Sequence, residues 1–170
     1  MVTGVSITQR GSPACPPAVV DALGERWQRL ADSAAGRVFE LPADAVSAVR
    51  SECARGARYD TILSFMRTPQ VADLDSFVAA LEQILADGGW ILMVEPSELG
   101  AGRLRSLLPS RLGHRQSARD GGGRDVVSAL RAGGFTVTDL HRGEPALIPA
   151  RWRRYMEIRA RRETPQKPSG

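Results

Sequence analysis

Apolar positions repeat along this chain with two different periods, which divide it into alternating helices and strands. Spacings of three and four residues predict amphipathic helices, and short, nearly continuous apolar runs predict strands that are covered on both faces. The predicted helices span residues 17–33, 43–54, 73–86, 97–108 and 125–132, and the predicted strands span 37–41, 59–66, 90–94, 135–140 and 152–160. Residues 5–8 form either part of a loop or a short further strand. Alternation of this kind is typical of an α/β domain.

The segment from Tyr59 to Glu95 carries the most regular pattern. It reads as a buried strand (YDTILSFM), an amphipathic helix (LDSFVAALEQILA), a turn (DGG) and a second buried strand (WILMVEP). Asp73 or Asp75 can cap the helix, because a short carboxylate accepts hydrogen bonds from the first backbone N–H groups. Gly88-Gly89 suits the left-handed turn that ends it. The segment therefore predicts one βαβ unit.

The C-terminal third alternates apolar and polar residues, as strands with one exposed face do. Residues 135–140 form the first such strand, and residues 152–160 form the second. We interpret the second as an edge strand, antiparallel to the others, whose charges protect it from aggregation. The arginines that crowd it are Arg151, Arg153, Arg154, Arg159, Arg161 and Arg162.

The order and spacing of these elements resemble the core of class I S-adenosylmethionine-dependent methyltransferases, over roughly residues 30–160. In that family, the segment similar to Tyr59–Ser64 is the fourth strand, and the segment similar to Leu85–Leu92 leads into the fifth. Gly134-Phe135, with the two strands that follow, resembles the family's C-terminal reversed hairpin. The resemblance implies an α/β fold, a Rossmann-like three-layer sandwich. Its reduced, mostly parallel sheet would have about five to six strands, with a C-terminal antiparallel strand.

The glycine-rich cofactor loop of that family is missing here. In the family, a strand similar to residues 37–41 runs into a Gly-x-Gly-x-Gly loop that lets the backbone approach the cofactor, and the next helix N-terminus faces it. Here that strand runs into Pro42-Ala43-Asp44-Ala45, and no glycine follows until Gly56. The family's second strand, which ends in an acidic residue that binds the ribose hydroxyls, is missing as well.

The spacing leaves two alignments with the family open. Only about 18 residues separate Leu41 from Tyr59, which is room for one helical crossover. Residues 37–41 match either the family's first strand, with the second and third deleted, or its third strand, with residues 5–8 as a remnant of an earlier one.

Polar side chains stand at the carboxyl ends of the predicted parallel strands, where open α/β sheets bind ligands. Glu40, Ser64, Arg67 and Glu95 are the residues that we predict to form a pocket rim and to bind a cofactor. His114 and His141 are the candidate general bases, although each is also explained as a surface histidine. No metal-ligand spacing is present, so no metal is predicted.

Length and composition indicate one domain without membrane association. Residues 1–16 form an N-terminal loop or short strand, residues 17–162 a single methyltransferase-like domain, and residues 163–170 a polar tail. No signal pattern or spanning apolar run occurs, so a cytoplasmic location is expected. The net charge is +4, and Lys167 is the only lysine among 23 basic residues. Aromatic residues are 5% of the chain and no basic stripe carries stacking rings, which argues against nucleic-acid binding.

Three functional hypotheses remain. The leading one is a degenerate, methyltransferase-like protein that binds S-adenosylmethionine poorly or not at all. It would act as a non-catalytic, auxiliary subunit in a homo- or hetero-oligomer with another methyltransferase-like chain. The first alternative is an active S-adenosylmethionine-dependent methyltransferase for a small-molecule acceptor, with an unusual cofactor site or one completed by a partner. The second is an arginine-rich nucleic-acid-binding module.

Overall fold

The computed structural model describes residues 15–97, 125–145, 152 and 154–162. The helices are α1 (Pro17–Asp32), α2 (Ala45–Ala54), α3 (Leu74–Ile84) and α4 (Val126–Ala132), with a short 3-10 turn at Thr68–Gln70. The strands are β1 (Val38–Glu40), β2 (Tyr59–Phe65), β3 (Leu85–Pro96), β4 (Phe135–Gly143) and β5 (Tyr155–Arg162). Residues 5–8, His114, the tail 163–170 and, apart from Ser97, the predicted helix 97–108 lie outside the described residues.

The described strands form one mixed sheet in the order β1-β2-β3-β5-β4. Strands β1, β2 and β3 run parallel, and β5 is antiparallel to both of its neighbours. The predicted reduced sheet with a C-terminal antiparallel strand is therefore confirmed.

The position predicted for the last strand is wrong. Strand β5 lies inside the sheet, between β3 and β4, and β4 is the strand at the edge. Met156, Ile158 and Ala160 are buried on one face of β5, and Tyr155 is buried as well. The arginines of this strand therefore do not protect a free edge.

Pairing of β1 favours one of the two alignments with the methyltransferase family. Strand β1 pairs directly with β2, with Phe39 opposite Ile62. In a doubly wound sheet of order 3-2-1-4-5-6, the first strand lies beside the fourth. Strand β1 therefore takes the position of the first strand, and the second and third have no counterpart in the described part of the chain.

Helices cover both faces of the sheet, which gives the three layers expected. On one face, α1 packs through Trp27 against Phe65, with a ring centroid distance of 5.3 Å. On the other face, α2, α3 and α4 pack around Ile62 and Ile91. Neighbouring residues on a strand point to opposite faces, so β2 and β3 supply both cores. None of the helices described is long and apolar enough to cross a membrane.

Short carboxylates cap three of these helices, as the sequence predicts for α3. Asp73 accepts a hydrogen bond from Ser76 N at 3.2 Å, and Asp44 accepts one from Ser47 N at 3.3 Å. Beyond the end of α3, Gly88 has a φ of +72°, within a strand that begins earlier than predicted. The Arg162 guanidinium donates to the carbonyls of Glu82 and Leu85, which joins the end of β5 to the end of α3.

Candidate functional site

The carboxyl ends of β1, β2 and β3 meet at one edge of the sheet, because these strands are parallel. A turn leaves β2 at Met66 and continues through Arg67 into the 3-10 helix that begins at Thr68. Met66 is fully buried and has a φ of +53°, a conformation that is uncommon for residues other than glycine. The fold thus holds this turn in a strained conformation beside the last residues of β3.

Glu95, near the end of β3, is the centre of a buried polar cluster. Its side chain is 0% exposed and accepts four hydrogen bonds. One carboxylate oxygen accepts from Ser64 Oγ at 2.5 Å and from Arg67 N at 3.1 Å. The other accepts from Thr68 N at 3.0 Å and from Thr68 Oγ1 at 2.7 Å. Glu95 therefore binds the turn after β2 to the end of β3.

Burial raises the pKa of Glu95 above its ordinary value. Removal of the carboxylate from water disfavours the charged form, and the hydrogen bonds from Ser64, Thr68 and Arg67 oppose this effect only in part. The carboxyl group therefore keeps its proton to a higher pH in the folded protein than in the unfolded chain.

The raised pKa of Glu95 predicts that stability falls as pH rises. A group whose folded pKa is above its unfolded value contributes stability that is fully present below the unfolded pKa, here 4.5, and is lost as pH rises through the folded pKa. Urea unfolding is expected to give a free energy of unfolding that falls from about pH 4 to about pH 8 in the wild type. In Glu95→Gln this fall should be smaller. The exposed Glu25 is the matched control, and Glu25→Gln should keep the wild-type slope. Parallel curves for wild type and Glu95→Gln would contradict the assignment.

The side chain of Arg67 joins this cluster to the end of β1. Arg67 is 3% exposed, and its Nε donates to the carbonyl oxygen of Leu41 at 3.1 Å. Leu41 also donates its backbone N–H to the carbonyl of Leu63 at 2.9 Å. The turn after β2 is thereby bonded to the ends of both neighbouring strands.

Cys15 lies beside these charges, just before α1. Its thiol is buried and free, and burial raises its pKa to about 11, while Arg67 lowers the pKa and Glu95 raises it. A thiol with such a pKa stays protonated at neutral pH, so Cys15 is a poor nucleophile.

The loop between β1 and α2 contains no glycine. Leu41 is 1% exposed, and Pro42 has no N–H to offer a ligand. The carboxylate of Asp44 caps α2 and brings a negative charge to the helix end at which an anion would bind. The described geometry of this loop is therefore that of a helix cap satisfied by its own side chain.

The structure brings together three of the four residues that we predict for the pocket rim. Ser64, Arg67 and Glu95 form one cluster, but they are buried and do not form an open rim. Glu40 is half-buried at the end of β1. Thr68 also belongs to the cluster, although its only signal in the sequence is its position after Arg67.

His141, one of the two candidate general bases, does not join this cluster. His141 is exposed on β4, separated from β3 by β5, and its ring centroid lies 6.4 Å from that of Tyr155. His114 lies outside the described residues. Within the described ranges, no group of three or more His, Cys, Asp or Glu side chains could hold a metal ion.

Comparison with known proteins supports the fold and nothing finer. No family model matches the sequence, and no curated protein matches it. The N-methyltransferase NodS from Bradyrhizobium japonicum WM9, solved with S-adenosyl-L-homocysteine, aligns over 91% of this chain and 92% of its own, with 10% identity and a TM-score of 0.53. NodS in a second structure aligns over 86% of this chain and 98% of its own, with 12% identity and the same TM-score of 0.53.

A third structure agrees with these two. A candidate S-adenosylmethionine-dependent methyltransferase from Listeria monocytogenes aligns over 82% of this chain and 99% of its own, with 11% identity and a TM-score of 0.51. Identities this low establish similarity of fold alone. The chain therefore has a class I methyltransferase-like, Rossmann-like α/β fold.

Proposed function

We propose that this chain is a non-catalytic, methyltransferase-like protein that acts as an auxiliary subunit of another protein. The observation that carries the proposal is the end of β1. There Pro42 and the Asp44 helix cap stand where the family resemblance implies a glycine-rich cofactor loop. A carboxylate already occupies the α2 N-terminus, so a cofactor carboxylate or ribose oxygen finds few free N–H donors there.

Hydrogen bonding at the neighbouring strand ends supports the same proposal. The Leu41 carbonyl is bonded to Arg67, and the Glu95 carboxylate accepts from three residues of the chain itself. Polar groups that are satisfied internally have little to gain from a ligand, because binding would exchange one set of hydrogen bonds for another. The Leu41 carbonyl and the Glu95 carboxylate therefore act as structural connections between strand ends.

The partner that we propose is a methyltransferase-like chain, either a second copy or a related protein. In the described residues the sheet ends at β1, where two further strands would follow in a full doubly wound fold. The unpaired side of an edge strand can hydrogen-bond to a strand from another chain. Phe39 adds a half-buried apolar surface, stacked on Tyr59 with a ring centroid distance of 4.8 Å.

Internal contacts of the arginines argue against the nucleic-acid hypothesis. Arg162 binds the end of α3, and Arg154 pairs with Glu144 at 2.6 Å. Arg161 lies over the ring of Trp90 at 5.7 Å from its centroid. Arginines that the fold already uses leave less charge for a phosphate backbone.

An active methyltransferase with an unusual cofactor site is the alternative. It is favoured by the similarity of fold to NodS, whose structure contains S-adenosyl-L-homocysteine. In this alternative, a partner chain or another part of the sheet edge would replace the missing loop.

Calorimetric titration with S-adenosylmethionine and S-adenosyl-L-homocysteine separates the two proposals. We expect no measurable heat of binding at ligand concentrations on the order of 1 mM, because the cofactor loop is replaced by a capped helix. The same sample must first show a cooperative thermal transition, so that a lack of heat cannot be attributed to unfolded protein. Binding with a dissociation constant of about 1–10 μM would contradict the proposal and favour the enzyme. If no binding is found, affinity capture from the source organism, followed by mass spectrometry, tests for the partner subunit.

A further inference from the structure

Arg67 is a buried cation at the carboxyl edge of a parallel sheet. Arg67 is only 3% exposed, although a guanidinium remains charged at every pH at which proteins fold. A buried charge costs free energy unless an opposite charge or several hydrogen bonds compensate it. The contacts of its side chain therefore show whether that compensation comes from within the chain.

Within the described residues, that compensation is incomplete. Its guanidinium makes one hydrogen bond to the described part of the chain, from Nε to the Leu41 carbonyl. No carboxylate in the described part of the chain forms an ion pair with it. Glu95 lies near the end of the neighbouring strand β3. Its carboxylate accepts hydrogen bonds from Ser64, from Thr68 and from the backbone N–H of Arg67, and not from the Arg67 guanidinium.

Two ionisable side chains near Arg67, those of Cys15 and Glu95, have raised pKa values. Burial raises the pKa of the Cys15 thiol to about 11, although the charge of Arg67 lowers it, so the thiol is neutral at neutral pH. Burial raises the pKa of Glu95 as well, and the hydrogen bonds that its carboxylate accepts oppose this effect. Neither side chain forms an ion pair with Arg67 among the described residues.

The hydrogen bond from Nε leaves the two terminal nitrogens of the Arg67 guanidinium as its remaining donors. Because Nε is bonded to Leu41, the terminal Nη1 and Nη2 groups remain as a planar pair of donors. This pair matches the two oxygens of a carboxylate or of a phosphate. The strained backbone at Met66, with a φ of +53°, immediately precedes Arg67 and fixes its place at the sheet edge.

We propose that Arg67 binds a small oxyanion, a carboxylate or phosphate group, at the carboxyl edge of β1 and β2. The bound oxyanion neutralises the guanidinium and stabilises the turn after β2. This site goes beyond the auxiliary role proposed above, because it gives the chain a ligand of its own that does not depend on the family's cofactor loop.

Thermal unfolding of the full chain with added anions tests this proposal. The probes are sodium phosphate and sodium acetate, each compared with sodium chloride at equal ionic strength. We expect at least one oxyanion to raise Tm in a saturable way, by about 3–6 °C at about ten times its dissociation constant. A response to phosphate alone assigns a phosphate site, and a response to acetate assigns a carboxylate site. If neither anion differs from chloride, the proposal is overturned.

Variants of Arg67 show whether the effect arises at this residue. The oxyanion-dependent shift should disappear in Arg67→Met, while the exposed Arg50 on α2 provides the control Arg50→Met, which should keep the wild-type shift. Arg67→Lys keeps the charge without the planar pair of donors and should bind at least about tenfold more weakly, which also serves if Arg67→Met does not fold. A shift of wild-type size in either folded Arg67 variant would refute the site.

The outcome is independent of the cofactor titration. A saturable oxyanion shift together with no heat from S-adenosylmethionine supports both proposals. Binding of S-adenosylmethionine contradicts the auxiliary role alone, and a lack of oxyanion response contradicts the Arg67 site alone.

Discussion

Replacement of Glu95 by Ala is expected to lower the free energy of unfolding by about 3–5 kcal/mol. The substitution removes the acceptor of four hydrogen bonds, two of them from the backbone N–H groups of Arg67 and Thr68. Buried donors left without an acceptor cost about 1–3 kcal/mol each, and relaxation of the turn recovers part of this cost. Natural domains are stable by about 5–15 kcal/mol, so this loss would be a large fraction of the total free energy of unfolding.

Two controls separate the loss of these hydrogen bonds from a general effect of mutation. Glu95→Gln keeps the size of the side chain and one acceptor oxygen, so its loss should be smaller than that of Glu95→Ala. Glu25→Ala removes an exposed carboxylate from α1 and should change stability by less than about 0.5 kcal/mol. Urea unfolding followed by circular dichroism measures all three. A loss below about 1 kcal/mol for Glu95→Ala would show that the cluster does not hold the turn.

Replacement of Trp27 by Ala is expected to be as costly, at about 3–5 kcal/mol. Trp27 is 0% exposed and packs against Phe65 on β2. Among the described helices, α1 is the one that covers this face of the sheet, so the cavity opens at the centre of that contact. The same urea experiment gives the magnitude, and near-ultraviolet circular dichroism reports the loss of fixed packing around the ring.

Trp90 provides the matched control for Trp27. It is half-buried on β3, with the guanidinium of Arg161 over its ring at 5.7 Å from the centroid. Because less of its surface leaves water on folding, Trp90→Ala should cost less than half as much as Trp27→Ala. Equal losses would contradict the expected difference between the fully buried and the half-buried tryptophan.

Much of the secondary structure follows from local patterns. Helix α3 begins at the predicted Asp73 cap, and the apolar run from Tyr59 forms a buried parallel strand. Boundaries are less accurate, since β3 begins at Leu85, before the Gly88-Gly89 turn that we expect to precede it. Pairing with Tyr59 extends the strand, and this pairing is a contact between residues distant in sequence.

The candidate site could be predicted from the sequence only in part. Polar residues at the ends of apolar strands identify Ser64, Arg67 and Glu95, because parallel strands end at a common edge. Their burial could not be predicted, since it depends on how the turn after β2 folds back onto β3. The role of the Leu41 carbonyl has no signal in the sequence, because every residue carries the same backbone oxygen.

The periodicity of apolar residues encodes which face of each helix or strand is buried. It was therefore sufficient to predict the α/β class, the helices and the amphipathic faces that pack on the sheet. It does not encode which strand lies beside which. Backbone N–H and C=O groups pair in the same way whatever side chain they carry, so an alternating strand is compatible with the edge or the interior of a sheet. Long-range packing placed β5 between β3 and β4, put β1 at the position of a first strand, and buried Arg67 without a carboxylate among the described residues.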